Sequence, residues 1–203
     1  LLTSEIYSRW IHPRDIANRT LFGDGASATL LEASTAEEAG LGPFIYGTDG
    51  KGYDRLIVER SGAHALGPQC LVHRPEYDVE SRGPANLFMD GPEIFRFAVT
   101  TVPGLYRSLL DLAGMEQDAI DYVVFHQANA FMLNHLSKLM KLPSQKVVLE
   151  LENTGNTVSS SIPLAIARAA ENGRIADNTV LALLGFGVGY SWAGTLVRWR
   201  GGR

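Results

Sequence analysis

The sequence predicts an α/β protein in which helices cover the faces of a mainly parallel β-sheet. From residue 92 onward, amphipathic runs alternate with short apolar runs, in the order helix, strand, helix, strand, helix, strand, strand. Apolar strands of this kind are typical of a sheet buried between layers of helices. The 203 residues, 45% of them hydrophobic, suffice for one large or two small globular domains.

Two segments before the long helix carry a local structural signal. In residues 21–32 a turn bracketed by Gly23 and Gly25 precedes a β-prone run, which indicates a loop and then a strand. Residues 40–92 are dense in glycine, proline and charge, so we predict mostly loop. Loops of that length are usually functional, and we interpret this one as a cover over a binding site.

A long helix is predicted from residue 92 to Gly114, which can end it. Its buried face is marked by Phe95, Ala98, Val99, Val102, Leu105, Leu109 and Leu112. Pro103 lies inside it and is expected to remove one backbone hydrogen bond and kink the helix.

Shorter elements follow the long helix. Residues 122–125 and 146–151 are predicted strands, and residues 131–141 between them a helix. A polar loop over residues 153–157 then leads to a helix over residues 161–172.

That last helix has serines at its start that can cap it, and Gly173 can close it in left-handed geometry. Residues 179–184 and 195–199 are the final predicted strands. A glycine-rich segment, residues 185–189, follows the first of them.

The composition argues against several classes of partner. The net charge is -4 and no run of Lys or Arg occurs, so we expect no binding to nucleic acid or to a membrane surface. No apolar stretch approaches the roughly 20 residues of a membrane helix and no leader opens the chain, so we predict a cytoplasmic protein. The single cysteine, Cys70, allows no internal disulfide. The chain opens on Leu1 without an initiator Met, which suggests part of a longer protein.

Three predicted strands are followed by unusual residues. His126 follows the strand at 122–125, Asn156 lies in the loop after the strand at 146–151, and a glycine-rich segment follows the third. Sites in α/β sheets form where strands end at their carboxyl side. Taken singly, a histidine there is more often structural, and an Asn-Thr-Gly-Asn run is usually a turn. A glycine-rich dinucleotide loop would need a helix after it, so we reject that interpretation.

Considered together, these segments indicate one kind of chemistry. The imidazole of His126 and the amide of Asn156 can direct two N–H donors at one carbonyl oxygen, and the glycine-rich backbone can supply further donors. Such donors stabilise negative charge that develops on oxygen. The sequence therefore predicts chemistry that generates a carbanion next to a thioester.

Five segments follow one another in a recognisable order. Val-Phe-His-Gln-Ala-Asn occupies residues 124–129, Asn-Thr-Gly-Asn-Thr residues 153–157, and Gly-Phe-Gly-Val-Gly-Tyr-Ser-Trp residues 185–192. Upstream, Leu-Phe-Gly-Asp-Gly-Ala spans residues 21–26 and Met-Asp-Gly-Pro-Glu-Ile-Phe residues 89–95. Together they resemble the ketoacyl synthase III (3-oxoacyl-ACP synthase III) family of the thiolase superfamily, over nearly the whole chain.

The resemblance implies a thiolase-like, duplicated α-β-α-β-α layered fold whose N-terminal half is incomplete here. Residues 1–90 would be the remainder of that half, with its cover segment, and residues 91–203 the C-terminal half. The family forms homodimers. An acyl-CoA acylates its cysteine, and malonyl-ACP or malonyl-CoA then loses CO₂ and condenses to a 3-oxoacyl thioester, in fatty-acid or related secondary-metabolite biosynthesis. No metal or other cofactor is implied.

The resemblance also implies roles for individual residues. The catalytic pair would be His126 and Asn156, which bind the malonyl thioester oxygen. The backbone N–H of Val188 would join an oxyanion hole for acyl transfer. Phe22 and Phe95 would line the acyl tunnel.

Further implications concern the carrier and the nucleophile. Arg9 would contact the CoA nucleotide. The family usually has a basic residue where this chain has Ala130-Phe131, so the carrier of the malonyl group stays open between ACP and CoA. Its nucleophilic cysteine lies upstream of the region matching residues 1–9, and Cys70 does not match that motif. We therefore expect these 203 residues alone to be inactive.

Two alternatives remain open from the sequence. One is an acyltransferase of the same superfamily that transfers without decarboxylation, for which Asn156 would be dispensable. The other is a catalytically silent partner subunit, which would have no chemical need for both His126 and Asn156.

Overall fold

The computed structural model describes residues 1–35, 40–61 and 83–200. In these ranges the strands are β1 Leu2–Glu5, β2 Gly25–Ala28, β3 Leu41–Thr48, β4 Leu56–Ile57, β5 Phe88–Met89, β6 Tyr122–Phe125, β7 Val180–Gly187 and β8 Ser191–Arg198. The α-helices are α1 Ile16–Arg19, α2 Gly91–Ala113, α3 Ala130–Leu139 and α4 Ser161–Glu171. Cys70 and much of the predicted cover segment lie outside the described residues.

The main sheet has four strands in the order β3-β8-β7-β6. Only β6 and β7 pair in parallel; β7 with β8, and β8 with β3, are antiparallel. The α/β class is confirmed, but the prediction of a mainly parallel sheet is wrong for these strands. The reason is the short connection of residues 188–190 between β7 and β8, because so short a turn joins only antiparallel strands.

Both strands next to the β7–β8 turn extend beyond their predicted limits, since β8 already begins at Ser191, and β3 is a strand that the sequence did not predict. β7 continues through Gly187, since Gly185 and Gly187 pair with Ala193 and Ser191 of β8, so the predicted glycine-rich loop is mostly strand. β3 lies within the segment predicted as loop and pairs with β8 along its length. Its glycines and proline hid it, yet its side chains alternate between exposed and half-buried over most of its length, as in an edge strand.

Helix α2 confirms the predicted long helix. Its N-cap is Asp90, whose carboxylate accepts the Glu93 N–H at 3.2 Å, and Gly114 ends it with a φ of 61°. The helix runs through Pro103 without interruption. Its apolar side packs against β3, β7 and β8.

The core forms two layers, one on each face of the main sheet. Val123 and Phe125 point to the larger cluster, which contains the buried side chains of α2 and α3. Val124, between them, points to the smaller cluster with α4. This alternation is the two-residue period of a strand, so the sheet is sandwiched between helices as predicted.

The predicted strand over residues 146–151 is wrong. Val147 makes one isolated bridge to Val123, and no ladder continues from it. The side chain of Gln127 fills the gap: its amide donates to the carbonyls of Phe125 at 2.7 Å and Val148 at 3.2 Å, and its oxygen accepts the Glu150 N–H at 2.9 Å. Because a side chain satisfies these backbone groups, direct strand pairing stops there.

The first strands form a separate small sheet. β1 and β2 pair antiparallel, which confirms the strand predicted in residues 21–32. None of the helices in the described ranges is both long and apolar enough to cross a membrane. The division of the chain at residue 90 stays a prediction, and β3, from before that point, belongs to the same sheet as β6 to β8.

Candidate active site

One cavity of about 760 Å³ contains both residues of the predicted catalytic pair. His126 and Asn156 line it, together with apolar side chains from α2, α3 and the β7–β8 turn. Among the described residues that line it, none is Asp, Glu, Lys or Arg. The cavity therefore offers neutral hydrogen-bond donors in largely apolar surroundings.

His126 directly follows β6, as predicted. Its backbone N–H donates to the Leu184 carbonyl at 2.8 Å and so continues the pairing with β7. Its ring Nδ1 lies 2.8 Å from the Ser161 hydroxyl at the start of α4, and the ring stands edge-on to Phe186 at 5.5 Å. These contacts fix the plane of the imidazole.

The imidazole of His126 is neutral at physiological pH. Burial among apolar groups lowers its pKa from 6.5 to about 4, and the Val158 carbonyl opposes that effect only in part. A neutral imidazole has one N–H donor and one acceptor nitrogen. It can therefore donate to a carbonyl oxygen without bringing a positive charge.

The backbone of Asn156 is held by the loop that carries the Phe22 motif. Its N–H donates to the Leu21 carbonyl at 2.8 Å, and its carbonyl accepts the Gly23 N–H at 2.9 Å. The side-chain oxygen accepts the Val158 N–H at 2.9 Å. With its oxygen bound in this way, the amide is oriented so that its NH₂ is the group available to a ligand in the cavity.

Two glycines allow residues 21–23 and residues 154–156 to approach each other closely. A Cβ on Gly23 would lie 1.9 Å from the Thr154 carbonyl oxygen, which is far inside any real contact. Gly155 has a φ of 62°, and a Cβ there would lie 2.8 Å from the Leu21 oxygen. The glycines of the two motifs thus serve to hold Asn156 in place.

Val158 adopts a φ of 53°, which a β-branched residue rarely does. Its N–H binds the Asn156 side chain and its carbonyl accepts the Ser161 N–H. Strained backbone of this kind is concentrated at functional sites. The sequence contained no signal for it, since valine is not typical of left-handed turns.

The other predicted site residues differ in their relation to the cavity. Val188 lines it from the β7–β8 turn, and its carbonyl accepts the Ser191 hydroxyl at 3.0 Å. Phe22 also lines it and stacks on Tyr7 with the ring centroids 4.9 Å apart. Arg9 does not line it: its guanidinium lies over the Trp10 ring, 5.6 Å from the centroid.

Phe95 belongs to an aromatic cluster on one wall of the cavity. Its ring centroid lies 5.6 Å from that of Phe131 and 5.2 Å from that of His135. Phe131 is 73% exposed, so the cluster lies where the cavity meets solvent.

Sequence reasoning missed two residues that support the pair. From the sequence, Ser161 is predicted to have only the role of a helix cap, and Gln127 is only one residue of the 124–129 segment. Ser161 also accepts the Gln127 N–H at 3.3 Å, so both residues join the network around His126. A signal existed for Ser161, because helix starts and strand ends meet at the same edge of an α/β sheet.

Comparison with known proteins identifies the fold and the family. The layered α/β architecture, with His126 after β6 and Asn156 in the loop before α4, is that of the thiolase superfamily. The model of the 3-oxoacyl-[acyl-carrier-protein (ACP)] synthase III C-terminal domain matches residues 110–199, and that of 3-oxoacyl-[acyl-carrier-protein (ACP)] synthase III matches residues 1–50. The chain belongs to the 3-oxoacyl-ACP synthase III family.

Individual relatives agree with that assignment. The chain is 34% identical to the chloroplastic β-ketoacyl-[acyl-carrier-protein] synthase III B of Cuphea wrightii, over 98% of this chain and 50% of the relative. A crystal structure of a 3-oxoacyl-(acyl-carrier-protein) synthase III superposes with a TM-score of 0.90 at 46% identity, covering 98% of this chain and 59% of that one.

A further solved relative comes from another kind of biosynthesis. The priming β-ketosynthase of the R1128 polyketide pathway superposes with a TM-score of 0.77 at 30% identity, covering 97% of this chain and 55% of that one. The chain spans 50% to 58% of the length of the eight curated relatives compared.

Proposed function

We propose that the protein condenses an acyl thioester with a malonyl thioester, with loss of CO₂, to give a 3-oxoacyl thioester. The observation that supports this most directly is that His126 and Asn156 line one cavity without charged residues among its described walls. The acyl group would first be transferred from acyl-CoA to a cysteine outside these 203 residues.

The proposed decarboxylation uses both donors at once. The N–H groups of His126 and Asn156 bind the carbonyl oxygen of the malonyl thioester. The bond to the terminal carboxylate then breaks, its electron pair forms the enolate, and CO₂ leaves. Each such donor typically lowers the barrier by about 3 kcal/mol when it is positioned beforehand.

The apolar cavity supports the same step. The malonyl carboxylate would have no Lys or Arg partner among the described lining residues, so its charge is poorly stabilised before reaction. In the transition state that charge moves to the oxygen held by two neutral donors. Stabilisation is therefore greater in the transition state than in the ground state.

Condensation completes the proposed cycle. The enolate carbon attacks the carbonyl of the acyl-cysteine, a carbon–carbon bond forms, and the cysteine thiolate leaves. The backbone N–H of Val188, with that of the cysteine, would hold the oxyanion formed on the way. Phe22 and Phe95 would be walls for the acyl chain, since both line the cavity.

Substrate carriers and assembly also belong to the proposal. The acyl donor would be acyl-CoA and the malonyl carrier ACP or CoA, with Arg9 contacting the nucleotide. The aromatic Phe131, exposed at the cavity wall, distinguishes this chain at the position where a basic residue is usual. We propose a cytoplasmic homodimer that binds neither membrane nor nucleic acid and needs no metal or other cofactor.

Release of CO₂ from a malonyl thioester by the full-length protein tests the function. We expect Asn156→Ala and His126→Ala each to slow it by about 10²- to 10³-fold. Asn134→Ala, at an exposed position of α3, is the matched control and should leave the rate unchanged. Acyl transfer without CO₂ release would instead show the non-decarboxylating acyltransferase, and absence of both activities would show a silent subunit.

A further inference from the structure

We propose that Ser161 is a positioning residue that holds the proton of His126 on Nε2, so that the ring offers a donor to the substrate. The inference deepens the proposed function and rests on it for its catalytic consequence. The tautomer itself can be measured without any reaction.

The hydrogen bonds of the Ser161 hydroxyl support this assignment. Ser161 is 2% exposed, and among the described residues its oxygen has two partners: Nδ1 of His126 at 2.8 Å and the backbone N–H of Gln127 at 3.3 Å. The Gln127 N–H can only donate. The hydroxyl proton is therefore used only if it is donated to Nδ1 of His126.

The tautomer of His126 follows from that direction. A nitrogen that accepts a hydrogen bond carries no proton, so the single proton of the neutral ring lies on Nε2. The Val158 carbonyl also acts on the ring and would attract a ring proton on the side that it faces. That carbonyl accepts the Ser161 backbone N–H, which uses one of its two lone pairs. Ser161 therefore contacts both groups, because its hydroxyl supplies Nδ1 with a donor and its N–H binds the Val158 carbonyl.

A hydroxyl differs from the carboxylate that supports histidine in many hydrolases. A carboxylate accepts the proton of the ring nitrogen it faces and stabilises a charged imidazolium. A hydroxyl donor leaves the ring neutral with the opposite tautomer. That arrangement suits a group that donates to an uncharged thioester oxygen and does not remove a proton.

Nitrogen NMR on full-length protein with ¹⁵N-labelled histidine rings tests the inference, with His126→Gln used to assign the signal. We expect the Nε2–H tautomer in the wild-type protein. Ser161→Ala should shift it towards Nδ1–H and lower kcat for CO₂ release on the order of tenfold, with little change in KM. Ser161→Thr, which keeps the hydroxyl, should restore both.

Ser137→Ala is the matched control, since Ser137 is a buried helical serine whose hydroxyl donates to the Leu133 carbonyl of its own helix, at 2.7 Å. It should leave the tautomer and the rate unchanged. An Nδ1–H signal in the wild-type protein would overturn the inference, even if the Ser161 variants fail to fold. An unchanged tautomer in folded Ser161→Ala would also overturn it. If CO₂ release proves independent of His126, the proposed function fails while the tautomer assignment stands.

Discussion

At the scale of single residues, His126 and Asn156 bring two uncharged hydrogen-bond donors into one cavity. The sequence predicts this pair, because each residue follows a predicted strand. Their orientation could not be predicted. It depends on Ser161, on the left-handed backbone of Val158 and on a loop more than 130 residues earlier in the chain, which no local pattern announces.

The low pKa of His126 makes stability depend on pH. The pKa of His126 is about 4 in the folded protein and near 6.5 in the unfolded chain. At pH values between these two, the unfolded state therefore binds more protons than the folded state. The full free energy of unfolding is thus present above about pH 6.5 and decreases as the pH falls towards 4. We expect a loss of about 2 kcal/mol, allowing for the side of the ring that faces the cavity.

Urea unfolding at pH 7 and pH 4.5 measures this dependence. His126→Gln, which cannot be protonated, should lose less stability between the two pH values than the wild-type protein. Equal losses in both proteins would contradict the assigned pKa.

At the scale of elements, the sequence predicted best where one local pattern decides the structure. The periodic apolar positions of α2 and the serines and glycine that flank α4 led to boundaries within a few residues of those observed, although the N-cap Ser160 makes no side-chain capping hydrogen bond to the described residues. The prediction failed where pairing between segments distant in the sequence determines the structure. β3 has the composition of a loop, and it is a strand because β8 satisfies its backbone groups.

Gln127 replaces a strand ladder, and its removal should be costly. It is 1% exposed, and its side chain makes three hydrogen bonds to backbone groups. Gln127→Leu leaves those groups without partners and should lower the free energy of unfolding by about 3 kcal/mol. Gln145→Leu, at an exposed site, is the control and should change it little. A small effect of Gln127→Leu in denaturant unfolding would argue against the side chain's structural role.

Gly23 tests how the loop before β2 holds Asn156. Gly23→Ala forces the loop away from the Thr154 carbonyl, so we expect a loss of stability of about 1–3 kcal/mol and slower CO₂ release. Gly50→Ala is the control, because a Cβ there meets no atom within 4 Å. Thermal unfolding and the CO₂ assay together measure both effects. Wild-type activity in Gly23→Ala would show that Asn156 is held by other contacts.

At the scale of the whole molecule, the small sheet is joined to the start of α4 by hydroxyl groups. The Thr3 hydroxyl lies 2.6 Å from that of Ser27 and 2.9 Å from that of Ser160, which precedes α4. The Ser160 hydroxyl donates to the Gly25 carbonyl at 3.2 Å. These bonds join β1 and β2 to the end of α4 that lies next to His126.

Thr3→Val removes the centre of that network and keeps the side-chain shape. We expect the free energy of unfolding to fall by about 1–2 kcal/mol, since the buried Ser160 and the half-buried Ser27 each lose a hydrogen bond. Thr100→Val is matched to it, because the Thr100 hydroxyl lies at an exposed position and donates to carbonyls of its own helix. Equal changes in the two variants, measured by denaturant unfolding, would show that the network adds nothing.

The account as a whole depends on two donors meeting at one oxygen. A crystal structure of the full-length protein with a malonyl thioester analogue, in which a methylene replaces sulfur, tests this most directly. We predict that the retained carbonyl oxygen lies within about 3.2 Å of both the His126 ring nitrogen and the Asn156 amide nitrogen. An oxygen bound by only one of them, or an analogue seated elsewhere with the two side chains unoccupied, would contradict the account.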